Sequence, residues 1–241
     1  MLIVLASDKK LIQYAKAPIA SALHHCKEPL RFVILARGCD DSDADALRTT
    51  GADITMLSMD HGPIKAKLAP WVSASSMDRL MLPELLPNED RCLYLDIDLC
   101  VTDDLAELFA MDTGEMGVGA RTSTRRRFQT TTQYAALTGV TIPGYLGDHH
   151  NFNAGVLLLS LETLRQKRFT ERTLSIVERT SCNDQIALAL YAESKHVPLP
   201  ARYNHWPLHE KMEDPAIIHF VGPRKPWQSQ GPVTAPFTKW L

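Results

Sequence analysis

The sequence predicts an α/β fold around a mainly parallel central sheet. Three observations carry that expectation. Short apolar runs recur along the chain, each closed by a polar residue or a glycine. Segments with apolar residues at helical spacing separate the runs, and such alternation builds a parallel sheet covered by helices. The longest apolar run, AGVLLL, is far too short to span a bilayer.

In order, LIVLAS ends at the polar Asp8 and reads as a first buried strand, followed by helical spacing over residues 11–26. RFVILA (31–36) is a second strand closed by Gly38. DADALRTTG is a short helix ending at Gly51, and ADITMLS (52–58) a third strand. Residues 71–86 form a helix that Pro83 should break or kink. RCLYLDID is the fourth strand, and DDLAELFAM a helix with acidic residues in its first turn, where the macrodipole favours them. MGVGA (116–120) is a fifth strand. The regularity then stops: residues 121–150 are polar, with a helical hint near Gln133–Leu137. A loop of that length inside a compact domain is usually functional. FNAGVLLLSL resumes as a strand, 161–180 is a charged amphipathic helix, and NDQIALALYA is a helix capped by Asn183 or Asp184. From Pro198 the chain is irregular, with one further strand in AIIHFVG.

A chain of 241 residues can bury one large core. With no repeat and no low-complexity linker, residues 1–241 read as a single domain. The net charge of −2 gives no pull toward nucleic acid or an anionic membrane. Arg125, Arg126 and Arg127 read as a solvated surface. Five scattered cysteines without a CxxC pair favour a reducing compartment, and Cys92 and Cys100 read as small hydrophobes within a strand. MLIVLASD lacks a basic leader and starts a strand. The expected location is therefore cytoplasmic, with at most weak peripheral attachment through the C-terminal SQGPVTAPFTKWL.

The fourth strand carries Asp96 and Asp98. Residues two apart on a strand face the same way, roughly 6–7 Å apart. Two ionised carboxylates that close raise each other's pKa, and a divalent cation removes the penalty. Strand carboxyl ends are where open α/β sheets bind ligands. Asp103 and Asp104 are better placed to cap the following helix. A D-x-D pair at a strand end serves either a phosphohydrolase, where the pattern runs D-x-D-x-T, or a transferase that holds a cation on a nucleotide-sugar pyrophosphate. Cys100 stands where that threonine would be.

YLDIDLCVTDDLAELF, FNAGVLLLSL, NDQIALALYA, RYNHWP and IIHFVGPRKPW occur in this order. Together they resemble the retaining glycosyltransferases of family 8, which include glycogenin and bacterial lipopolysaccharide galactosyl- and glucosyltransferases. The resemblance runs from IVLASD to Trp227 and implies a single GT-A domain. It implies that Asp96, Asp98 and His219 hold Mn²⁺, and two carboxylates with an imidazole suit that ion. It places Ala6 and Asp8 at uracil and ribose, Gly222 and Lys225 on the diphosphate, and Arg79 on phosphate and sugar. Asn153 and Ala154 would line the sugar pocket, and Asp184 and Gln185 would stand beside the anomeric carbon. The implied reaction moves a hexose from a UDP-sugar to the hydroxyl of a glycan or other acceptor, with residues 121–150 as an acceptor-side loop.

Two departures stand out. The family often follows its nucleotide-site aspartate with Asn-Tyr, where this chain has Lys9, Lys10 and Leu11; Tyr14 is the substitute at hand. An acidic sugar-binding residue after the fifth strand is replaced by GARTSTRRR, which leaves Thr122 or Ser123 for its place. The rival readings are a metal-dependent phosphohydrolase, which would not need His219, and a nucleotide-sugar-binding protein without turnover.

Overall fold

The computed structural model describes residues 1–59, 74–228 and 230–241. Nine strands run among the described residues: β1 (Leu2–Asp8), β2 (Arg31–Arg37), β3 (Asp53–Ser58), β4 (Arg91–Leu95), β5 (Leu99–Val101), β6 (Val118–Thr122), β7 (Phe152–Ser160), β8 (Val197–Pro198) and β9 (Ile217–His219). Seven form one sheet in the order β3-β2-β1-β4-β7-β6-β8, and β5 with β9 forms an antiparallel ribbon. The mainly parallel α/β sheet is borne out: β1–β2, β2–β3, β1–β4 and β6–β8 pair parallel, while β6–β7 pairs antiparallel.

The chain groups into two compact units. The first takes the described parts of 1–59, 93–111 and 200–241, the second those of 74–92 and 112–199.

In the first unit β1 is buried from Leu2 to Ser7, as an apolar run flanked by parallel partners must be. The helical spacing of 11–26 resolves into a 3-10 turn, Ile12–Ala15, and a helix, Lys16–His25. Pro18 lies in the helix's first turn, where its missing N–H costs nothing. The helix that was expected from Asp43 starts earlier, at Asp41. Asp40 caps it by accepting from the Ser42 and Asp43 amides, and the Asp43 side chain caps in return. Asp104 Oδ1 accepts the Ala106 N–H at 3.0 Å from one position before Leu105, the N-cap of helix Ala106–Ala110. Asp103 instead pairs with Arg202 at 2.7 Å. The C-terminal aromatics are core. Phe237 is fully buried with Ala17, Cys100 and Phe220, and Trp240 packs against them.

In the second unit, Val156, Leu157 and Leu158 of β7 are fully buried, as are Ile186, Ala187, Leu188, Ala189, Tyr191 and Ala192 of helix Asp184–Ala192. A helix that is apolar all round belongs in a core. Asn183 caps it, its Oδ1 accepting from the Ile186 N–H at 3.0 Å.

Four further boundaries differ from expectation, each for a local reason. The segment expected as one helix over 71–86 begins outside the described residues. From Ala74 it runs as a helical turn, a 3-10 stretch Asp78–Met81 and a second turn Leu82–Leu85. The break falls before Pro83, which sits in the first turn of the last piece and cannot donate back to the Arg79 carbonyl. The 161–180 helix is two, Leu161–Gln166 and Phe169–Thr180, parted by Arg168 in the left-handed region (φ 54°). The fifth strand starts at Val118 because Gly117 (φ 71°) belongs to a turn, where an added Cβ would lie 3.2 Å from the Ser160 carbonyl oxygen. β4 ends at Leu95, so Asp96 and Asp98 lie in the bend between β4 and β5 and not on a strand.

Candidate active site

In the first unit, the β4–β5 bend brings Asp96 and Asp98 to His219 at the end of β9. Leu99 is in register with His219, and the Phe220 N–H donates to the Asp98 carbonyl at 3.0 Å. The ligand atoms of Asp96, Asp98 and His219 lie within 4.8 Å of one another. His219 Nε2 stands 3.2 Å from Asp98 Oδ1 and 3.8 Å from Asp96 Oδ2. Tyr94, buried on β4, donates its hydroxyl to Asp96 Oδ1 at 3.1 Å.

The other imidazole nitrogen fixes the chemistry of this one. Asn204 Oδ1 accepts from Trp206 Nε1 at 2.9 Å and lies 2.9 Å from His219 Nδ1. An indole N–H only donates, so the Asn204 atom that both groups meet is the oxygen. His219 Nδ1 is therefore a donor, which leaves Nε2, on the side of the two carboxylates, as the nitrogen that can offer a lone pair to a cation. An oxygen partner on the far nitrogen is the usual device for orienting a histidine that ligates a metal. Backbone pairing delivers Asn204 there: the His205 N–H donates to Ile217 O at 2.9 Å, and the His219 N–H to His205 O at 2.8 Å. Three electron-pair donors converging from a buried wall fit a divalent cation.

Lys225 sends its ammonium to Asp98 Oδ2. Burial by itself would push the Asp98 carboxyl up, but His219 and Lys225 outweigh it and hold the group well below the usual carboxylate range. The Lys225 N–H donates to Gln228 Oε1 at 2.8 Å, which anchors the backbone beneath the side chain. Gly222 has φ 95°, and no heavy atom comes within 4 Å of where its Cβ would stand. Ala6 lies on β1 with 7% exposure. Asp8 Oδ1 accepts from the Lys10 and Leu11 amides at 3.0 and 3.2 Å, which closes the turn after β1. Lys9 points to the neighbouring helix, pairing with Asp40 and Asp43 at 2.9 and 2.7 Å. Tyr14 is stacked face to face on Trp227, with ring centroids 4.2 Å apart.

In the second unit, Arg79 is buried at 3% exposure, not displayed on a helix surface. Its Nε lies 3.2 Å from Asp184 Oδ2 and donates to Ser76 O at 2.7 Å, and its Nη1 donates to Ala154 O. The Ala154 N–H donates to Gln185 Oε1 at 3.2 Å, and Ser76 Oγ donates to Asp184 Oδ1 at 3.2 Å. Arg79, Ala154, Asp184 and Gln185 thus form one network, with the Asn153 side chain folded onto the Gly155 amide at 3.0 Å. Thr122 Oγ1 is 2.7 Å from His196 Nε2, so its hydroxyl is already engaged. His196 is buried against Phe152, which pushes its pKa down to about 4, and His150 adds to the shift. The 121–150 segment holds a helix, Thr131–Leu137, where the sequence hinted at one. Thr130 and Gln133 form its capping box, and Asn183 Nδ2 meets the Tyr134 hydroxyl at 3.5 Å.

Asn204, Trp206, Tyr94 and Ser76 went unassigned from sequence. RYNHWP holds Asn204 and Trp206, and YLDIDLCVTDDLAELF opens on Tyr94, but neither motif gives these residues a role.

The sequence profile described as Glycosyl transferase family 8 matches residues 2–231. The probable glycosyl transferase Gly of Streptococcus gordonii is 30% identical over 153 residues, covering 58% of this chain and 20% of that protein. GlyF of Streptococcus pneumoniae is 25% identical over 254 residues, covering 94% of this chain and 57% of the relative. The chain thus spans only part of the length of these relatives. The galactosyltransferase LgtC, solved with donor and acceptor sugar analogs, superposes over 100% of this chain and 95% of its own with a TM-score of 0.79 at 24% identity, a likeness of fold. The fold, the Asp-Asp-His cluster and a profile spanning almost every residue agree: the chain belongs to glycosyl transferase family 8.

Proposed function

We propose that the chain transfers a hexose from a UDP-sugar to a hydroxyl acceptor, with retention at the anomeric carbon and with Mn²⁺ held by Asp96, Asp98 and His219. The observation that carries this reading is His219 Nε2 standing within 3.8 Å of two carboxylates, with Asn204 Oδ1 on the ring's other nitrogen. Bound there, the cation would supply Lewis-acid stabilisation of the leaving diphosphate. Lys225 and the open backbone at Gly222 add to the diphosphate's binding, and Ala6 and Asp8 line the nucleoside end.

Asp184 and Gln185 position the sugar. Both Asp184 oxygens are engaged, by Ser76 and by Arg79, which makes a covalent glycosyl-enzyme on that carboxylate a poor route. A front-face displacement, in which the departing phosphate oxygen takes the acceptor's proton, suits a carboxylate so held. Arg79 acts by holding Asp184 and the Ala154 carbonyl in place. The acceptor side is assigned to the 121–150 segment. Among the described residues no helix is long and apolar enough to cross a membrane.

The test is turnover of UDP-glucose, UDP-galactose and their N-acetyl forms with Mn²⁺, with and without chelator, in wild type and Asp98→Asn. Metal-dependent hydrolysis or transfer that Asp98→Asn loses supports the reading. Chelator-insensitive nucleotide binding, or cleavage of p-nitrophenyl phosphate without need of His219, would sink it. Binding without turnover would favour a nucleotide-sugar-binding protein.

A further inference from the structure

A lysine that serves a diphosphate has no need to touch a metal-ligand carboxylate, yet Lys225 Nζ lies on Asp98 Oδ2. We infer that Lys225 is the resident counter-ion of Asp98, displaced when a divalent cation binds, so that cation and nucleotide diphosphate load as a coupled pair. This rests on the cation reading above and adds to it an order of events and a residue that enforces it.

The geometry supplies each part. Asp98 is 7% exposed at its side chain, so its charge needs a partner at all times. Asp98 Oδ1 faces His219 Nε2 at 3.2 Å and Oδ2 meets the Lys225 ammonium, and of these two partners only the lysine sits on a partly exposed side chain. A divalent ion gripped by the same carboxylate would stand within a few ångströms of that ammonium and repel it. The Lys225 backbone is anchored by Gln228, and Trp227 two residues on is stacked on Tyr14, so the segment stays while the side chain leaves. The side chain is 32% exposed and has room to move. A diphosphate beside the site gives the released ammonium its new partner. The cation alone must evict Lys225 without recompense; the cation with diphosphate need not. Linkage makes the coupling reciprocal, and couplings of this kind run about 5- to 150-fold.

The experiment measures Mn²⁺ affinity by electron paramagnetic resonance of the free ion, with and without UDP. It compares wild type, Lys225→Met, Lys225→Gln and the neighbouring exposed Arg224→Met. Lys225→Met and Lys225→Gln should bind Mn²⁺ alone about tenfold more tightly than wild type, and UDP should then improve Mn²⁺ binding by a smaller factor. Arg224→Met removes the same unit of charge one residue away and should change neither quantity. Unchanged or weaker Mn²⁺ binding in both Lys225 variants overturns the inference. So does an equal gain in Arg224→Met, which would make the effect one of general charge. If wild type and every variant fail to bind Mn²⁺ even with UDP, the cation reading itself fails, a result distinct from either.

Discussion

Two clusters of charged side chains separate by where their charge is directed. In the first unit, Asp96, Asp98 and His219 bring three ligand atoms together, and the partner on Asp98 is a partly exposed lysine. In the second, Asp184 is met on one oxygen by a hydroxyl and on the other by a guanidinium that also holds two backbone carbonyls. Both sites bury carboxylates. One is built to exchange its partner, the other to keep it. A buried charge therefore reads as ligand-binding or as scaffold according to how readily its counter-charge can leave.

The largest expected effect attacks the fixed cluster. Arg79→Ala leaves Asp184 buried without its guanidinium and should cost about 3–5 kcal/mol of stability in urea unfolding, while Mn²⁺ affinity holds. A parallel loss of Mn²⁺ binding would erase the contrast. Next comes the pH response of the second unit. His196 sits at about 4 in the folded chain, against an ordinary value of 6.5, so the unfolded chain binds the extra proton first. Its contribution is fully present above about 6.5 and is lost as pH falls toward 4, roughly 3 kcal/mol in all. Unfolding of wild type and His196→Gln across that window should diverge in this sense; parallel curves would refute it. A smaller effect falls on the exchanging cluster. Asn204→Leu should lower Mn²⁺ affinity about 10- to 100-fold, and Asn204→Asp, which keeps an acceptor, should recover most of it. Equal loss in both would mean that the asparagine's role is packing. Smallest is Thr130→Ala, which removes a helix cap worth about 1 kcal/mol. It should speed amide hydrogen exchange over 131–137 and leave Mn²⁺ binding untouched.

What could be read beforehand follows the range of the forces involved. β1, β2 and β7 were legible because an apolar run is local, and the Asn183 cap because its hydrogen bond reaches only to Ile186. The Asp96–Asp98 pair was legible as a candidate cation site, and His219 as its third member through a resemblance; the structure brings the three together. The bend at Leu95 was not, since YLDID continues the strand-like pattern through the turn. The break at Arg168 has neither glycine nor proline to announce it. The contacts that give each site its character join residues far apart: Arg79 to Asp184, Lys225 to Asp98, Asn204 to His219. No periodicity encodes such pairs, and Arg79 and Lys225 alone look like ordinary surface cations.

The packing of Phe237 on Cys100 and Phe220 has a practical consequence. Those two residues sit one or two positions from Asp98 and His219, so the helical turn Ala235–Thr238 acts as a buttress behind both side chains of the candidate site. Trimming Phe237 to a small side chain would remove that brace and loosen both groups at once, without touching either.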